Sequence, residues 1–218
     1  MTIGFIGSGN IGQAVAQVAI RLGYNVIMSN SRSPDTLEEV VAKLGSKAKA
    51  AYAKDVAGQS DVIVVCPPLF ALPELPVANT AGKIIIDTMN YYPSRDGRIA
   101  SLDNGRTTTS ELTQKHFAKA FVVKAFNNIM AGQIPTDGLP HDAKGRCALP
   151  IAGHYPEANA EVAEFLETAG YDVLDVGKLS NSRQFENGTR AYVRRATLPE
   201  PRTVWAARTR TWGSRPDQ

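Results

Sequence analysis

Cysteine is scarce in this sequence, and its scarcity excludes several kinds of protein. The 218 residues include only Cys66 and Cys147, each of which lies inside or at the end of an apolar run. Two thiols so far apart do not form the disulfide framework of a small secreted domain, and neither has a second ligand at the spacing of a metal knuckle. We therefore expect two buried free thiols, no bound metal, and the reducing cytoplasm as the location.

Long hydrophobic runs and a basic leader segment are missing as well. No uninterrupted apolar stretch approaches the roughly 18 residues that a membrane-spanning helix needs. A strand-like pattern follows Met1 at once, where a secretion signal would place basic residues and an apolar core. Hydrophobic residues make up 43% of the chain and charged residues 21%, which is typical of a globular protein with an ordinary core. We expect no membrane partner.

The positive charge is concentrated at one end of the chain. The formal net charge is +3, yet seven arginines and two acids lie from Arg190 onward, so the rest of the chain is slightly acidic. These arginines are scattered without a helical or alternating period, which favours a solvated, partly disordered tail over a nucleic-acid-binding arm. We therefore expect one folded domain over residues 1–190, a basic tail over residues 191–218, and no nucleic-acid partner.

Apolar strand-like runs alternate with helical segments along the folded part. Runs such as "VIVV" and "IIID" are apolar at every position, as expected for parallel strands that helices cover on both faces. This alternation predicts a doubly wound, Rossmann-type α/β fold with a mostly parallel sheet. The predicted strands are "TIGFIG", "YNVIMS", "DVIVVCP", "KIIIDTMN", "AFVVKAFN", "RCALPIAG" and "YDVLDVG".

A glycine pattern joins the first predicted strand to the first predicted helix. It has the form G-x-G-x-x-G and consists of Gly7, Ser8, Gly9, Asn10, Ile11 and Gly12. In a dinucleotide site the first glycine permits the turn, the second lets the backbone approach a pyrophosphate, and the third lets the helix pack closely on the strand. The same pattern can also form a strand-to-helix turn alone, but its place in a strand–helix–strand unit favours nucleotide binding.

The end of the second strand indicates which dinucleotide is bound. An NAD site has a carboxylate there for the ribose 2′-hydroxyl, whereas this chain has no acid from Ser29 to Ser33. Asn30, Ser31 and Arg32 are instead suited to a 2′-phosphate, because a guanidinium makes charge-assisted hydrogen bonds with it. The segment can also be a polar turn in which Ser33 or Asp35 caps the next helix. The two interpretations are compatible with each other. The sequence favours NADP(H) as the cofactor that the domain of residues 1–190 binds.

Several motifs together resemble a known family. They are "IGSGNIG", "SNSR", "DVIVVCPP", "VVKAFN" and the stretch "PIAG…EA…AGYDVLDVGKLSNSR", of which the last is the most specific. From about Thr2 to about Arg190 the chain resembles the NADPH-dependent F-420 reductases, also called F-420:NADP oxidoreductases. The resemblance implies hydride transfer between C4 of the nicotinamide and C5 of a deazaflavin coenzyme, F-420, as the small-molecule redox substrate. It also implies a homodimer.

The resemblance further implies where the cofactor lies. Residues 8–11 would line the phosphates, and Ser31 with Arg32 would hold the 2′-phosphate. Cys66 and Pro67 would border the nicotinamide ribose. The nicotinamide would lie among Met89, Asn90 and Ala125, where further strands end.

No catalytic side chain is expected, because the cofactor and the acceptor supply the reacting atoms. Asp87, Lys124 and Asn127 lie at predicted strand ends and could contact an acceptor, although Asp87 could equally cap a loop. The three histidines are isolated from one another in the sequence and do not have metal-ligand spacing: His116, His141 and His154.

Three alternatives remain open. The first is an NADPH-dependent reductase of another acceptor, such as a flavin, a quinone or a metal chelate. The second is a β-hydroxyacid dehydrogenase or pyrroline-carboxylate reductase, which shares the opening motif but builds its site with a long helical domain for which little chain remains after Gly177. The third is a non-catalytic NADP-binding redox sensor.

Overall fold

The computed structural model describes residues 1–198, and its strands form a single eight-stranded sheet. The spatial order is β3-β2-β1-β4-β5-β6-β7-β8, and every neighbouring pair is parallel except β6 and β7. The doubly wound, mostly parallel fold predicted from the sequence is confirmed. The strands are β1 (Thr2–Ile6), β2 (Asn25–Ser29), β3 (Ala48–Ala50), β4 (Val62–Val65), β5 (Ile84–Asp87), β6 (Phe121–Lys124), β7 (Ala148–Gly153) and β8 (Asp172–Asp175).

Helices cover both faces of this sheet. The 3₁₀ segments are Pro34–Leu37, Ala57–Gln59, Leu69–Glu74 and Leu179–Gln184. The α-helices are α1 (Asn10–Arg21), α2 (Glu38–Leu44), α3 (Ala53–Val56), α4 (Pro93–Asp96), α5 (Ala100–Asp103), α6 (Thr109–His116) and α7 (Pro156–Thr168). Among residues 1–198, no helix has the length and apolar character that a bilayer crossing requires.

Alternate residues of each strand enter two separate cores, which explains why the strands are apolar throughout. Ile84 and Ile86 pack into the core that α1 and α7 cover, whereas Ile85 packs into the opposite core with α3 and Phe117. Side chains of a strand alternate between faces, so a strand that is buried on both sides needs apolar residues at every position.

Helix α6 begins at a capping box that the sequence analysis did not use. The Thr108 hydroxyl accepts a hydrogen bond from the Glu111 backbone N–H at 3.2 Å, and the Glu111 carboxylate accepts one from the Thr108 N–H at 2.8 Å. Two of the free N–H groups at the helix start are thereby satisfied. This helix lies behind the carboxyl ends of β5 and β6 and contributes to the site described below.

The predicted domain boundary at 190 falls inside packed structure. Ala191 and Ala196 are buried against Ala152 and Phe185 in a small third core. The Ala196 carbonyl also accepts a hydrogen bond from the Ala148 N–H at 2.7 Å, which ties this segment to the start of β7. The described residues of the predicted tail, 191–198, are therefore part of the folded body, and 199–218 lie outside the described residues.

Truncation after residue 190 should destabilise the fold relative to truncation after residue 198. The shorter chain loses two buried alanine side chains and the hydrogen bond to β7, which together are worth about 2–4 kcal/mol of unfolding free energy. Urea unfolding of the two truncated chains measures the difference. Equal midpoints and equal slopes would show that residues 191–198 contribute nothing to the core.

Candidate dinucleotide site

The carboxyl ends of β1 and β4 meet at the point where the connections of the sheet reverse direction. Such a point is where open α/β sheets bind ligands. The Gly7 N–H donates to the Ser29 carbonyl at 3.1 Å, which joins the end of β1 to the end of β2. On the other side the Cys66 thiol donates to the Gly7 carbonyl at 3.0 Å, which joins β1 to the end of β4. The turn after β1 is therefore held from both sides.

Two of the three glycines are required by close packing around this turn. Gly7 has φ of +112°, and a Cβ there would lie 2.9 Å from the Pro67 nitrogen. A Cβ on Gly12 would lie 2.6 Å from the Gly7 carbonyl oxygen and 2.8 Å from the Cys66 sulfur. Contacts this short force the backbone to move, so no larger residue fits at either position without a shift.

Gly9 differs from the other two glycines. Its backbone is in an ordinary extended conformation, with φ of −71°, and a Cβ built on it would have no atom of residues 1–198 within 4 Å apart from its own chain neighbours. Packing within the protein therefore does not require a glycine here. An open surface over Gly9 is what a pyrophosphate needs in order to approach the backbone.

The start of α1 presents donors to the same open surface. Its first intrahelical bond is donated by the Gln13 N–H to the Gly9 carbonyl at 3.0 Å, so the N–H groups of residues 10–12 have no acceptor within the helix. No side chain caps this end, and its first turn contains no acid. The Gln13 side chain instead holds the loop by donating to the Ser8 carbonyl at 2.8 Å. Free N–H groups and the helix dipole favour an anion at this position.

Cys66 supports this loop as a hydrogen-bond donor. Burial raises the pKa of its thiol to about 12, so the thiol keeps its proton at neutral pH and can donate to the Gly7 carbonyl. A thiol with so high a pKa is a poor nucleophile. Pro67 follows it at the edge of the crevice and is half-buried.

The end of β2 presents a guanidinium to solvent. Ser29 is buried, and its hydroxyl donates to the Phe5 carbonyl at 2.7 Å, so it faces away from the crevice. The Asn30 side chain accepts from the Arg32 N–H at 2.8 Å and donates to the Thr36 hydroxyl at 2.9 Å. These two bonds shape the loop that carries Ser31 and Arg32. Both of those residues are exposed, and their side chains have no hydrogen bond or ion pair within residues 1–198.

The expected side-chain cap at the next helix is not found at Ser33. The 3₁₀ turn Pro34–Leu37 starts there without a hydrogen bond from the Ser33 side chain, and α2 begins only at Glu38. The turn is held instead by the Thr36 hydroxyl, which donates to the Ser33 carbonyl at 2.7 Å. The polar segment after β2 is thus organised by Asn30 and Thr36, and Arg32 takes no part in capping.

The residues expected around the nicotinamide divide into buried and accessible ones. Met89 and Ala125 are buried in opposite cores, so only their backbones can face a ligand. Asn90 is half-buried, and its side chain donates to the Asn127 carbonyl at 2.8 Å. The Asn127 amide nitrogen donates to the Phe185 carbonyl at 3.0 Å, and its oxygen is a buried acceptor without a partner among the described residues.

Asp87 and Lys124 do not face the crevice, although their strand positions suggested that they could. Both side chains are fully buried, and the Lys124 ammonium lies 3.4 Å from the Asp87 carboxylate. The same carboxylate accepts from Ser110 at 2.6 Å and from the Met89 N–H at 2.9 Å. A buried ion pair persists only when further hydrogen bonds satisfy both partners, as they do here. The alternative role of Asp87 as a loop cap is confirmed, because its bond to Met89 spans two residues.

Lys124 instead stabilises the loop after β5 from the interior of the protein. Its ammonium donates to the Thr109 hydroxyl at 2.8 Å and to the Met89 carbonyl. Thr109 extends this hydrogen-bond network, because its hydroxyl donates to the Glu186 carboxylate at 2.7 Å. The loop that carries Asn90 is therefore fixed to α6 and to the segment after β8.

The segment after β8 forms a wall beside this half of the crevice. Asn187 donates to the Tyr91 carbonyl at 3.2 Å, and the hydroxyls of Tyr92 and Tyr192 are in hydrogen-bond contact. Burial, followed by the contact with Tyr92, raises the pKa of the Tyr192 hydroxyl. The Arg95 guanidinium lies 4.8 Å from the centre of the Tyr92 ring. These tyrosines are not among the predicted site residues, because no sequence motif marks them.

The remaining sequence candidates lie away from the crevice or serve structural roles. His116, at the end of α6, is half-buried and its ring nitrogen lies 2.9 Å from the Leu75 carbonyl. His141 and His154 are exposed. Within residues 1–198, no group of three or more histidine, cysteine or acidic side chains is arranged to hold a metal ion.

Known proteins that are similar to this chain share its dinucleotide-binding fold. A family model described as "NADP oxidoreductase coenzyme F420-dependent" matches residues 2–91. The crystal structure of a hypothetical protein from Sinorhizobium meliloti is 28% identical with a TM-score of 0.77, over 90% of this chain and 95% of that one. A candidate F420-dependent NADP-reductase from Arthrobacter sp. FB24 is 25% identical with a TM-score of 0.73, over 84% of this chain and 87% of that one.

Curated relatives include longer proteins. Metalloreductase STEAP3 of Rattus norvegicus is 27% identical over 190 residues, which cover 84% of this chain and 35% of the relative. The chain thus spans about a third of the length of that relative. Together, the family model and the solved structures support a Rossmann-like NADP-binding fold.

Gly9→Val should abolish binding of NADPH and NADH while leaving the fold intact. The Cβ of the valine has no atom of residues 1–198 within 4 Å apart from its chain neighbours, and the side chain would occupy the surface over which the pyrophosphate would lie. Fluorescence titration measures binding, and thermal unfolding measures stability. Gly12→Val is the contrasting variant, because its side chain collides with Gly7 and Cys66 and should lower the melting temperature. Undiminished nucleotide binding by Gly9→Val would refute the prediction that the pyrophosphate lies over Gly9.

Arg32→Ala should weaken NADPH binding by about 1.5–3 kcal/mol and leave NADH binding nearly unchanged. Only NADPH carries the 2′-phosphate with which the guanidinium would make charge-assisted hydrogen bonds. Parallel titrations of the two nucleotides measure the selectivity. An equal loss for both nucleotides would show that Arg32 does not contact the 2′-phosphate.

Proposed function

We propose that this protein transfers a hydride between NADP(H) and a deazaflavin coenzyme of the F-420 type. NADP binding is supported mainly by the end of β2, where residues 29–33 contain no acid and the Arg32 side chain has no partner within residues 1–198. This end lies beside the glycine turn after β1, because β2 is the parallel neighbour of β1. The deazaflavin half is supported by the family model over residues 2–91 and by the likeness to the candidate reductase from Arthrobacter.

In this proposal the protein positions the reactants and excludes water. The N–H groups at the start of α1 would hold the pyrophosphate, and Ser31 with Arg32 would hold the 2′-phosphate. The dinucleotide would then extend past Pro67 toward the ends of β5 and β6. Asn90 and Asn127 are held there by hydrogen bonds to the backbone, and the half-buried Asn90 side chain is the one of the two that a nicotinamide amide group could reach.

When bound, the reduced nicotinamide supplies two electrons and a proton equivalent as one hydride, and a deazaflavin accepts them together. The distance and orientation of the two rings then decide the rate. The proton that the pyrimidine ring of the deazaflavin takes up after hydride addition at C5 comes from solvent, so no side chain has to supply it. The fixed loop after β5 fits that task. Lys124 and Asp87 hold it from inside the protein, so it presents a surface that a ring can stack against without rearrangement.

A second candidate is the NADPH-dependent reduction of a metal chelate. It is favoured by the likeness to metalloreductases over most of this chain, although the chain covers only about a third of those relatives. A ferric centre accepts one electron at a time, so a hydride cannot be passed to it as a unit. This candidate therefore requires a carrier, such as a flavin, that takes two electrons and releases them singly.

The test is to supply NADPH that carries deuterium at both C4 positions and to offer the acceptors in separate reactions. The acceptors are a deazaflavin, free flavin, ferric chelate, and ferric chelate together with free flavin. We expect loss of the nicotinamide absorbance band with the deazaflavin, and deuterium at C5 of the reduced product by mass spectrometry. Gly9→Val is the matched control and should give no turnover.

The other results separate the alternatives. Turnover of ferric chelate only when free flavin is present would replace the deazaflavin proposal by the metal-chelate reductase. Turnover with the deazaflavin but without deuterium in the product would refute direct hydride transfer. Tight NADPH binding with no turnover of any acceptor would indicate the redox sensor.

A further inference from the structure

We propose that Tyr52 and Lys54, in the segment after β3, form the outer wall of the adenosine site, with the Tyr52 ring stacking on the adenine and Lys54 providing a second cation for the 2′-phosphate. This inference rests on the proposed binding of NADP(H) across the start of α1. Neither residue belongs to the glycine motif or to the polar segment after β2.

The sheet order places these residues beside the predicted phosphate site. Strand β3 is the neighbour of β2, and Ala50 is in register with Met28. The Ala51 N–H then donates to the Met28 carbonyl at 3.0 Å, so the chain leaves β3 at the same edge of the sheet where Ser31 and Arg32 leave β2. Neighbouring strands are about 4.8 Å apart, so a base attached to the sugar at the end of β2 reaches the end of β3.

Tyr52 is exposed although its neighbours are packed. Ala51 and Ala53 pack against the core that α3 covers, whereas half of the Tyr52 surface is accessible to solvent. Its hydroxyl makes no hydrogen bond within residues 1–198. An exposed aromatic ring on a fixed backbone offers a flat surface on which a base can stack.

Lys54 differs from the two lysines that lie just before and within β3. Lys47 donates to the Gly23 carbonyl at 2.9 Å, and Lys49 donates to the Gln59 side chain at 2.8 Å. The Lys54 ammonium has no acceptor among the described residues and lies 5.8 Å from the centre of the Tyr52 ring. Such a cation–π contact holds the charge near the ring and leaves its hydrogen-bond donors free for a ligand.

The charge at this edge explains why a second cation would matter. A phosphate monoester carries about −1.5 to −2 charges at neutral pH, and Arg32 supplies only one positive charge. Two exposed carboxylates, Asp35 and Asp55, lie on the same two segments and add negative charge. Lys54 offsets that excess where the phosphate would lie.

The experiment titrates two fragments that lack the nicotinamide, 2′,5′-ADP and 5′-ADP, into the full chain and its variants by calorimetry. We expect Lys54→Met to weaken 2′,5′-ADP binding about three- to tenfold and to leave 5′-ADP unchanged. We expect Tyr52→Ala to weaken both fragments about five- to twentyfold, and Tyr52→Phe to bind both as the wild type does. Lys49→Met is the matched control, because it removes the same charge from the adjoining strand β3.

Every result supports or overturns the inference. Equal losses in Lys54→Met and Lys49→Met would show a general effect of charge and refute a contact by Lys54. Unchanged binding by Tyr52→Ala would refute the stacking. If Arg32→Ala still loses 2′,5′-ADP selectively while the Tyr52 and Lys54 variants do not, this inference fails and the proposed function stands. If the wild type fails to bind NADPH, the proposed function fails and the inference with it.

Discussion

The site depends on one constraint, which is the close approach of the turn after β1 to both the end of β4 and the start of α1. The Cys66 thiol binds the Gly7 carbonyl, and Gly12 lies against the same oxygen and sulfur, so three elements meet with no room for a further methyl group. This contact directs the start of α1 toward the surface over Gly9. The N–H groups of residues 10–12 consequently point into a space that the protein itself leaves open, and that space has the chemistry of an anion site.

The two halves of the crevice are built in opposite ways. On the side of the proposed adenosine site, Arg32 after β2 and Lys54 after β3 are exposed, and neither makes a side-chain hydrogen bond or ion pair within residues 1–198. On the side of the proposed nicotinamide site the charged groups are paired within the protein, because Lys124 and Asp87 bind each other and the loop after β5. The first arrangement recognises a charged ligand, whereas the second keeps a surface rigid. The proposed hydride transfer would need both, because affinity would come from the phosphates and the rate from the geometry of the rings.

How much the sequence reveals varies with the range of the interactions involved. Strands such as β4 and β5 were predictable because burial on both faces makes every residue apolar, and the glycine motif was predictable because its spacing follows from local geometry. Strand β3 was missed because three residues with a central lysine give no periodic signal. Helix α6 was missed although Thr108 and Glu111 form a capping box that the sequence contains. The inward orientation of Asp87 and Lys124 could not be predicted without α6, because Ser110 and Thr109 of that helix supply their partners. The boundary at 190 was misplaced because two buried alanines lie within an arginine-rich stretch.

The most direct test of the central claim is a crystal structure with NADP bound. The account predicts the pyrophosphate over Gly9, within hydrogen-bond distance of the N–H groups of residues 10–12, and the 2′-phosphate in contact with Ser31 and Arg32. A 2′-phosphate that faces bulk solvent without contact to either residue, or a nucleotide bound away from the start of α1, would contradict it.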